Sequence, residues 1–590
     1  LLNALLCFLY NLINKNKPHI GEKMNMEFPR FPEAPAEKLD GLWNFKWFGN
    51  VIPEDIDNIV YDEKGAVPGV FDTNPLHFNE MGAGAYQREF YVAESGTYEF
   101  YCGGAGLSAK FYIDGKLVAE SCSAYSPISA VIPLTTGKHT IIAIVDSRFE
   151  SQKSELFHTW ADFWGHGGIY RSVTLRKLPT NGRIVRAAVF TKSIETGTVE
   201  LEISTADLTD GTYSFDVEFD GPTTGAGVAP TSYSLMVVDG KAKIELQVPN
   251  FKVWSLESPN LHLLRVWYNG QSIVTRFGIR SITTDKQKIL LNGEEVFLKG
   301  VNKHEAHPEL GPVQNTQLLL DDLLWAKKLG CNFIRCVHYT HDPRMFDFCD
   351  ELGILVWEES LGWGNTSWDI ANEDVLTEAI AATKEMIWRD INHPSIIMWA
   401  FMNEGDSECP ASVPFYTALV NTVREMDSSR LVTYASNHAE RDACFHLVDV
   451  ISINRYPGWC GQCEAGVNYL DFVRKDIPYL EKMFTEKFAD KPLIMSETGT
   501  CGIFGKHDYG RAQWTEEFQC DFLEAIITPI LKSSRFSGIA IWQFFDSKSY
   551  VNQGQIRCKP FGMNLAGLLD EYRRPKKSFF FIQKLYKEYH

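Results

Sequence analysis

The sequence lacks the features of several protein classes, and each absence narrows the function. No apolar run reaches the roughly 20 residues of a membrane-spanning helix, since the run from Leu1 to Ile13 is shorter. A Gly-rich phosphate turn after an early strand is missing, which argues against a dinucleotide-binding sheet. Basic residues are too few: 57 Lys and Arg against 75 Asp and Glu give a net charge of −18. Such a chain repels phosphate backbones, so neither nucleic acid nor a membrane is an expected partner.

The 13 cysteines show no spacing typical of a disulfide framework. An odd, scattered set suggests buried thiols and a reducing compartment, so we expect a cytoplasmic protein. Cys460 and Cys463 form a C-x-x-C pair, but no second pair stands at ligand spacing, and we expect neither metal nor cofactor. Residues 1–25 show no clear basic start or small-residue cleavage site of a signal peptide and are set aside from the fold.

The spacing of apolar and turn residues changes along the chain and marks three regions after the N-terminus. After an N-terminal extension (residues 1–37), alternating runs such as AYQREFYV (85–92) and HTIIAIVD (139–146) are broken by Gly, Asp and Pro. This pattern predicts a jelly-roll β sandwich over 38–180. About seven further short strands predict an immunoglobulin-like sandwich over 181–284, although the paired cysteines of antibody domains are missing.

From residue 285 to 590, apolar strands alternate with amphipathic helices. Helices are predicted over 316–330 and 374–392. The predicted strands are 296–301, 331–336, 353–357, 395–403, 430–436, 449–454, 492–497 and 538–544. Eight such strands over about 300 residues predict a (β/α)8 barrel, with a doubly wound open sheet as the alternative.

Two glutamates directly follow strongly apolar predicted strands. Glu404 comes after the fourth strand and Glu497 ends the seventh. A barrel collects its catalytic residues at the C-terminal strand ends, so these carboxyl groups can face each other across a pocket. Hydrolysis of a β-glycoside needs one protonated acid and one ionised carboxylate. The alternative is that each glutamate merely pairs with an arginine near the rim.

Aromatic side chains at the same predicted strand ends favour a sugar as the substrate. Trp363, Trp459 and Trp542 each lie at or just after a strand end, where an indole face can stack on a sugar ring. A single tryptophan more often belongs to the core, but three at one rim favour a carbohydrate pocket.

An ordered set of motifs resembles glycoside hydrolase family 2, and within it the β-glucuronidase-like branch. The motifs run through both predicted sandwiches and the barrel, and include ADFWGHGGIYRSVTL (161–175), RFGIRSI (276–282), LKGVNKHEAHPELG (298–311), WAFMNEGD (399–406), INRYPGW (453–459), IMSETG (494–499) and IWQFFD (541–546). The resemblance covers nearly the whole chain after about residue 38 and implies a retaining exo-β-glycosidase.

The resemblance also implies a role for each matching residue. Glu404 would be the general acid/base and Glu497 the nucleophile. Asn403 would bind the sugar 2-hydroxyl, Tyr456 would contact the nucleophile, and Asp162 would reach the far hydroxyls of the sugar. The side chains expected to bind substrate are Asp162, Arg335, His338, Asn403, Tyr456, Trp459, Trp542 and Asn564. The partners that the resemblance implies are a carbohydrate substrate and, where family members form homo-oligomers, further copies of the same chain.

One position departs from the β-glucuronidase pattern. Those enzymes carry an Asn-x-Lys pair that grips the sugar carboxylate, whereas Asn564 is followed here by Leu565 and Ala566. Alanine offers no charge, so Arg344, Arg557 and Lys559 become candidates to replace the lysine. A β-galacturonide or a neutral sugar such as a galactoside stays open, as do a transglycosylase and an inactive carbohydrate-binding protein on the same fold.

Overall fold

The computed structural model describes residues 36–149, 161–220, 230–360, 362–458, 469–549 and 559–589. Within these ranges two antiparallel β sandwiches precede a closed eight-stranded barrel. In the described ranges, no helix is both long and apolar enough to cross a membrane.

The first sandwich packs a six-stranded sheet, in the order β3-β2-β4-β10-β7-β8, on a four-stranded sheet, β1-β12-β5-β9. Its alternating strands turn one set of side chains into a shared core, where Phe45 and Phe111 of one sheet meet Phe100 and Val173 of the other. The strands are β1 (Ala36–Lys38), β2 (Gly41–Gly49), β3 (Glu63–Val67), β4 (Ala83–Val92), β5 (Gly96–Cys102), β6 (Ala105–Gly106), β7 (Ser108–Ile113), β8 (Lys116–Ser121), β9 (Ile128–Leu134), β10 (Gly137–Asp146), β11 (Gly168–Ile169) and β12 (Val173–Lys177).

The second sandwich has a three-stranded sheet, β13-β14-β17, facing a four-stranded sheet, β16-β15-β18-β19. Leu201 and Ile203 of the first sheet pack on Phe215 and Val266 of the second. The strands are β13 (Arg183–Ser193), β14 (Thr198–Ala206), β15 (Gly211–Asp220), β16 (Thr231–Val237), β17 (Lys241–Gln247), β18 (His262–Tyr268) and β19 (Gln271–Phe277).

A small sheet leads into the barrel and covers its N-terminal end. It comprises β20 (Ile282–Asp285), β21 (Lys288–Leu291) and β22 (Glu294–Glu295), and Ile289 packs against Leu298 and Leu355 inside the barrel. The barrel strands are β23 (Leu298–Lys303), β24 (Phe333–Cys336), β25 (Leu355–Glu359), β26 (Ile396–Asn403), β27 (Leu431–Ser436), β28 (Ile451–Asn454), β29 (Leu493–Glu497) and β30 (Phe536–Ile541), and the hairpin β31 (Ser547–Lys548) and β32 (Met563–Asn564) follows. Because all eight strands are parallel, their C-terminal ends form one rim.

Helices surround this barrel and bury their apolar faces against it. Asn315 caps the first helix by accepting a hydrogen bond from the Leu318 N–H, and Gly330 ends it with a φ of 100°. The helices are α1 (Thr316–Leu329), α2 (Pro343–Leu352), α3 (Ser367–Ile370), α4 (Glu373–Asp390), α5 (Ser412–Met426), α6 (Tyr469–Lys487), α7 (Glu516–Lys532) and α8 (Lys577–Glu588), with 3-10 turns at Phe445–Leu447 and Pro560–Gly562.

The first sandwich is held against the barrel rim by buried contacts. Arg171, which precedes β12, donates to the Glu305 carboxylate at 2.9 Å and to the Thr340 carbonyl at 3.0 Å. Tyr125 stacks on Tyr339 with ring centroids 3.6 Å apart. These contacts bring the segment around residues 161–166 to the mouth of the barrel.

The structure confirms the predicted class of two sandwiches followed by a (β/α)8 barrel and rejects the open doubly wound sheet, because β30 pairs with β23 and closes the barrel. The predicted helices over 316–330 and 374–392 agree with α1 and α4 to within two residues. The eighth strand is shorter than predicted and ends at Ile541, so Trp542 and Gln543 lie in the loop beyond it. The domain boundaries at about 180 and 284 stay a prediction.

Candidate active site

The two glutamates lie at the rim on separate barrel strands. Glu497 is the last residue of β29 and is 3% exposed. Glu404 directly follows β26 and is half-buried. Its backbone adopts a left-handed φ of 52° while its N–H donates to the Ala435 carbonyl at 2.8 Å. Such a φ is uncommon for a side-chain-bearing residue, and here it sets the direction of the Glu404 carboxyl group.

Arg335, at the end of β24, connects the residues around Glu497. Its Nη1 donates to Glu497 Oε1 at 2.5 Å, and its Nη2 donates to Asn403 Oδ1 and to Glu359 Oε2, each at 2.8 Å. The guanidinium is fully buried, so this charge balances the carboxylates without competition from solvent. Glu497 therefore does pair with an arginine, but that arginine is itself one of the predicted site residues.

The second oxygen of Glu497 accepts a hydrogen bond from Tyr456. The phenol oxygen lies 2.7 Å from Glu497 Oε2. Burial raises the pKa of Tyr456, and the charges of Glu497 and Glu404 raise it further. The phenol thus remains a donor at neutral pH, and both Glu497 oxygens are held in place.

Glu404 has a different environment. Burial raises its pKa to about 7, and the negative charge of Glu497 adds to that shift. Asn454 Nδ2 donates to Glu404 Oε1 at 2.8 Å and opposes the shift. In the described part of the chain, no arginine forms an ion pair with Glu404. Proton uptake near neutral pH is the behaviour of a general acid/base.

Asn403 presents an unused donor beside these carboxyl groups. Its Oδ1 accepts hydrogen bonds from Arg335 at 2.8 Å and from Asn454 at 3.0 Å. Its buried Nδ2 has no hydrogen-bond partner among the described residues. A buried amide donor without a partner is costly, and a ligand hydroxyl would satisfy it.

One wall of the site is aromatic. His338 stacks on Trp542 with ring centroids 5.4 Å apart, and His338 Nδ1 lies 3.2 Å from Glu359 Oε1. Burial opposes ionisation of Glu359, but Arg335 and His338 outweigh it and lower its pKa. Phe163 of the first sandwich packs near His338 at 6.4 Å, which extends this wall across the domain boundary.

Asp162 lies next to Phe163 and makes a polar cluster with the hairpin after β30. Ser549 Oγ donates to Asp162 Oδ1 at 3.1 Å, and the Lys559 ammonium forms an ion pair with the same carboxylate. Lys559 is 4% exposed, and burial lowers its pKa to about 7. The structure therefore places a buried lysine beside Asp162, the residue predicted to reach the far hydroxyls of a sugar.

Asn564 and Ala566 lie at the other side of that hairpin. Asn564 Oδ1 accepts from the Ala566 N–H at 3.3 Å, while its buried Nδ2 has no partner in the described ranges. Ala566 is 1% exposed and packs with Trp542, Cys501 and Val337. The position at which the resemblance to β-glucuronidases implied a lysine is thus an apolar contact here.

Of the residues proposed to replace that lysine, only Lys559 lies in the described cluster. Arg344 is tied to Asp342 at 2.6 Å and to the Gln314 carbonyl at the start of α2, so it stabilises that helix end. Arg557 and the predicted sugar-binding Trp459 lie outside the described residues, as does the Cys460–Cys463 pair.

Several site residues had no assigned role in the sequence analysis. Glu359 holds Arg335, and Asn454 holds Glu404. Asn302 Oδ1 accepts a hydrogen bond from Arg335 at 3.1 Å, and its Nδ2 donates to the Ser496 carbonyl at 2.9 Å. Ser496 Oγ donates to Asn454 Oδ1 at 2.8 Å. All four lie at strand ends, and that position was the available signal.

Two groups of side chains have a spacing suited to a cation, and in each an arginine already forms an ion pair with a carboxylate. Asp347, Asp350 and His393 face Arg276, which lies 3.3 Å from Asp347 Oδ1. In the group formed by Asp406, Glu408 and His438, Glu408 pairs with Arg441 at 2.8 Å. Neither group therefore indicates a metal site.

Comparison with known families agrees with this geometry. The model described as "Glycosyl hydrolases family 2, TIM barrel domain" matches residues 282–590, and the model described as "Glycosyl hydrolases family 2" matches residues 183–280. The chain belongs to glycosyl hydrolase family 2. This family 2 chain is therefore a glycoside hydrolase.

Named relatives of this family 2 hydrolase are similar over nearly their whole length. A β-glucuronidase from Streptococcus agalactiae is 26% identical over 91% of this chain and 94% of its own length. The Mus musculus β-glucuronidase is 27% identical, covering 96% and 92% respectively. The crystal structure of a β-galacturonidase from Eisenbergiella tayi bound to galacturonate is 28% identical, with a TM-score of 0.84 over 96% of this chain and 99% of that chain.

Proposed function

We propose that this family 2 hydrolase is a retaining exo-β-glycosidase that releases a terminal β-linked uronic acid. The observation that carries the proposal is the contrast between the two rim glutamates. Burial and the facing charge raise the pKa of Glu404 to about 7, whereas Glu497 is bound by the Arg335 cation and the Tyr456 hydroxyl. One protonated acid opposite one charge-balanced carboxylate is the arrangement that a retaining glycosidase needs.

The mechanism follows from these environments. Glu497 would attack the anomeric carbon while Glu404 donates its proton to the leaving oxygen, so that the C–O bond breaks and a covalent glycosyl-enzyme forms. Glu404, now ionised, would remove a proton from water, and the resulting attack releases the sugar with retained configuration. Such a pair works with its carboxyl groups roughly 5–5.5 Å apart.

The surrounding donors would bind the sugar ring. Asn403 Nδ2, which has no described partner, would donate to the 2-hydroxyl. Trp542 and His338 would contact the ring face, and Asp162 would accept from the far hydroxyls. Ring binding of this kind lets hydrogen bonds strengthen as the transition state forms, which lowers the barrier.

Lys559 supports an acidic sugar. It is the buried cation beside Asp162, and it would take the role of the lysine missing at Ala566 by pairing with the sugar carboxylate. The relatives named above are a galacturonidase and glucuronidases, and both act on sugars with that group. Glucuronide and galacturonide differ in the hydroxyl at C4, which would lie near Asp162.

A neutral sugar is the second candidate, and the surroundings of Ala566 favour it. Ala566 lies among Trp542, Cys501 and Val337, and Lys559 already has Asp162 as a partner. A pocket without a spare cation would accept the CH2OH group of a galactoside more readily than a carboxylate, because an unpaired buried charge is costly.

The deciding experiment is hydrolysis of matched chromogenic β-glycosides: glucuronide, galacturonide, galactoside, glucoside and mannoside. We expect kcat/KM to be highest for one of the two uronides, by at least about tenfold, because a charge-assisted hydrogen bond is lost with each neutral sugar. Highest activity on galactoside would replace the uronide proposal with the neutral one. Absence of turnover from folded protein would contradict both, and an inverted anomeric product would contradict the retaining mechanism.

We also propose a reducing, cytoplasmic compartment from the scattered cysteines, and domains spanning 38–180, 181–284 and 285–590. Whether the chain forms the homo-oligomer implied by the resemblance can be measured by light scattering.

A further inference from the structure

A second cavity lies between the first sandwich and the hairpin that follows β30. It encloses about 420 Å3, within the roughly 300–1,000 Å3 typical of ligand sites. Its lining includes neither Glu404 nor Glu497. Ser549 is part of the lining, and its Oγ lies 3.1 Å from Asp162 Oδ1, so one side chain separates this cavity from the polar cluster described above.

The cavity has a rigid polar floor. Trp164 Nε1 donates to Asp72 Oδ2 at 2.7 Å, and its backbone N–H donates to the Lys548 carbonyl at 3.2 Å. His166 Nδ1 lies 2.8 Å from the same Asp72 oxygen. The Lys548 ammonium lies over the Trp164 ring, 3.2 Å from its centroid. These contacts fix a cation in the wall of the cavity.

Lys548 makes no direct ion pair with a carboxylate of the described residues, although the charge of Asp72 acts on it at longer range. The Lys548 Nζ donates to Asn79 Oδ1 at 2.7 Å. The acids in the lining have other direct partners or make no ion pair with Lys548. Asp72 binds His166 and Trp164 and acts on Lys548 only through its charge, Asp546 binds Lys576 at 2.7 Å, and Glu571 makes no ion pair with Lys548. Burial lowers the pKa of Lys548 to about 8, so it remains mostly charged at neutral pH.

Two aromatic rings in the lining project towards solvent. Phe561 is 85% exposed and Phe78 is 61% exposed. Phe561 has a left-handed φ of 64°, a costly conformation for an aromatic residue. Exposed rings beside a fixed cation offer an apolar face for a sugar ring and a charge for its acidic group.

We propose that this cavity is a second saccharide subsite, which binds a carboxylate-bearing sugar through Lys548 and stacks its ring on Phe561 and Phe78. The sugar carboxylate would accept a hydrogen bond from the Lys548 ammonium, whose direct hydrogen-bond partner in the described residues is the neutral Asn79. Ser549 borders both sites, but Lys548, Phe561 and Phe78, which would bind this second sugar, are not among the residues assigned to the catalytic site.

The test is calorimetric titration of the full chain with sodium galacturonate and sodium glucuronate, with galactose as the neutral probe. Lys548→Gln should weaken the binding of at least one of these sugar acids at this cavity by about tenfold or more, whereas Lys548→Arg should retain it because it keeps the charge. Phe561→Ala should weaken the same binding component, and it removes a ring that is 85% exposed and so contributes little to the core. Thermal unfolding of each variant checks that all remain folded.

The same preparations are assayed for chromogenic substrate hydrolysis and for its inhibition by the two acids. We expect kcat/KM and the competitive inhibition constants to be unchanged in Lys548→Gln and Phe561→Ala, because catalytic-site binding is separate. Isotherms identical in wild type and both variants, or equal binding of galactose, would overturn the second subsite. A protein that hydrolyses only neutral sugars but loses acid binding in Lys548→Gln would overturn the proposed uronide substrate and leave this subsite standing.

Discussion

Asn454 Nδ2 lies 2.8 Å from Glu404 Oε1, and the same amide donates to Asn403 Oδ1 at 3.0 Å. Asn454 Oδ1 in turn accepts from Ser496 Oγ, the residue before Glu497. One amide therefore joins the ends of β26, β28 and β29. This link fixes Glu404, the proposed acid/base, relative to Glu497, the proposed nucleophile, and its hydrogen bond lowers the pKa of Glu404.

The pH dependence of hydrolysis should report the Glu404 proton. Because the acid form is needed, kcat/KM should fall as pH rises above about 7, the value to which burial and Glu497 raise the pKa of Glu404. The Asn454 hydrogen bond lowers that pKa, so Asn454→Ala should move the alkaline limb to higher pH. The control is Asn421→Ala, on the exposed side of α5. A limb that moves to lower pH in Asn454→Ala would contradict the assignment.

Replacing the nucleophile tests the covalent step. Glu497→Gln should lower kcat by roughly 10⁴-fold or more, about 5.5 kcal/mol of barrier, because a neutral amide cannot attack the anomeric carbon. Glu524→Gln on the exposed face of α7 is the matched control and should match wild type. Near wild-type turnover by Glu497→Gln would show that another group is the nucleophile.

The Lys559 side chain should determine whether the enzyme prefers an acidic sugar to a neutral one. Lys559→Gln should lower kcat/KM for a uronide by about 10- to 100-fold, since hydrogen bonds to charged groups contribute about 1.5–3 kcal/mol. Activity on a neutral glycoside with the same leaving group should change much less. If both substrates lose activity equally, Lys559 acts by holding Asp162 and not by binding the carboxylate.

Restoring the missing lysine is the complementary change. Ala566→Lys should raise the ratio of glucuronide to galactoside activity by about tenfold, because it adds a charge beside Asn564 where β-glucuronidases have one. Ala566→Met introduces similar bulk into the contact with Trp542 and Cys501 without charge and serves as the control. An unchanged ratio in Ala566→Lys would mean that this segment does not face the sugar carboxylate.

The interface between the first sandwich and the barrel should be sensitive to Arg171. Arg171→Ala leaves the buried Glu305 without its ion-pair partner, and should lower the free energy of unfolding by about 3–5 kcal/mol. Arg176→Ala on β12, which breaks a partly exposed ion pair with Glu99 of β5, should lower the free energy of unfolding by about 1 kcal/mol or less. If urea unfolding shows the same loss of unfolding free energy in both variants, the buried Arg171–Glu305 pair contributes no more than the partly exposed pair.

Local patterns were sufficient to predict the secondary structure and the position of the glutamates. The alternation of side chains along β5 follows from burial of one sheet face, and the alternation of strands and helices after residue 285 follows from a barrel covered by helices. The end of the eighth strand was wrong by three residues, because the apolar Trp542 and Phe544 pack in the loop as well as a strand residue would.

The sequence by itself determined the two sandwiches, the barrel, and the placement of Glu404 and Glu497 at strand ends, since each depends on periodicity within a short window. Only the tertiary structure decided that Lys559 pairs with Asp162 and that Asn454 donates to Glu404. Asp162 and Ser549 are 387 positions apart in the chain, and their contact depends on how the first sandwich docks on the barrel. Burial lowers the pKa of Lys559, burial and the charge of Glu497 raise that of Glu404, and no local sequence pattern records either effect.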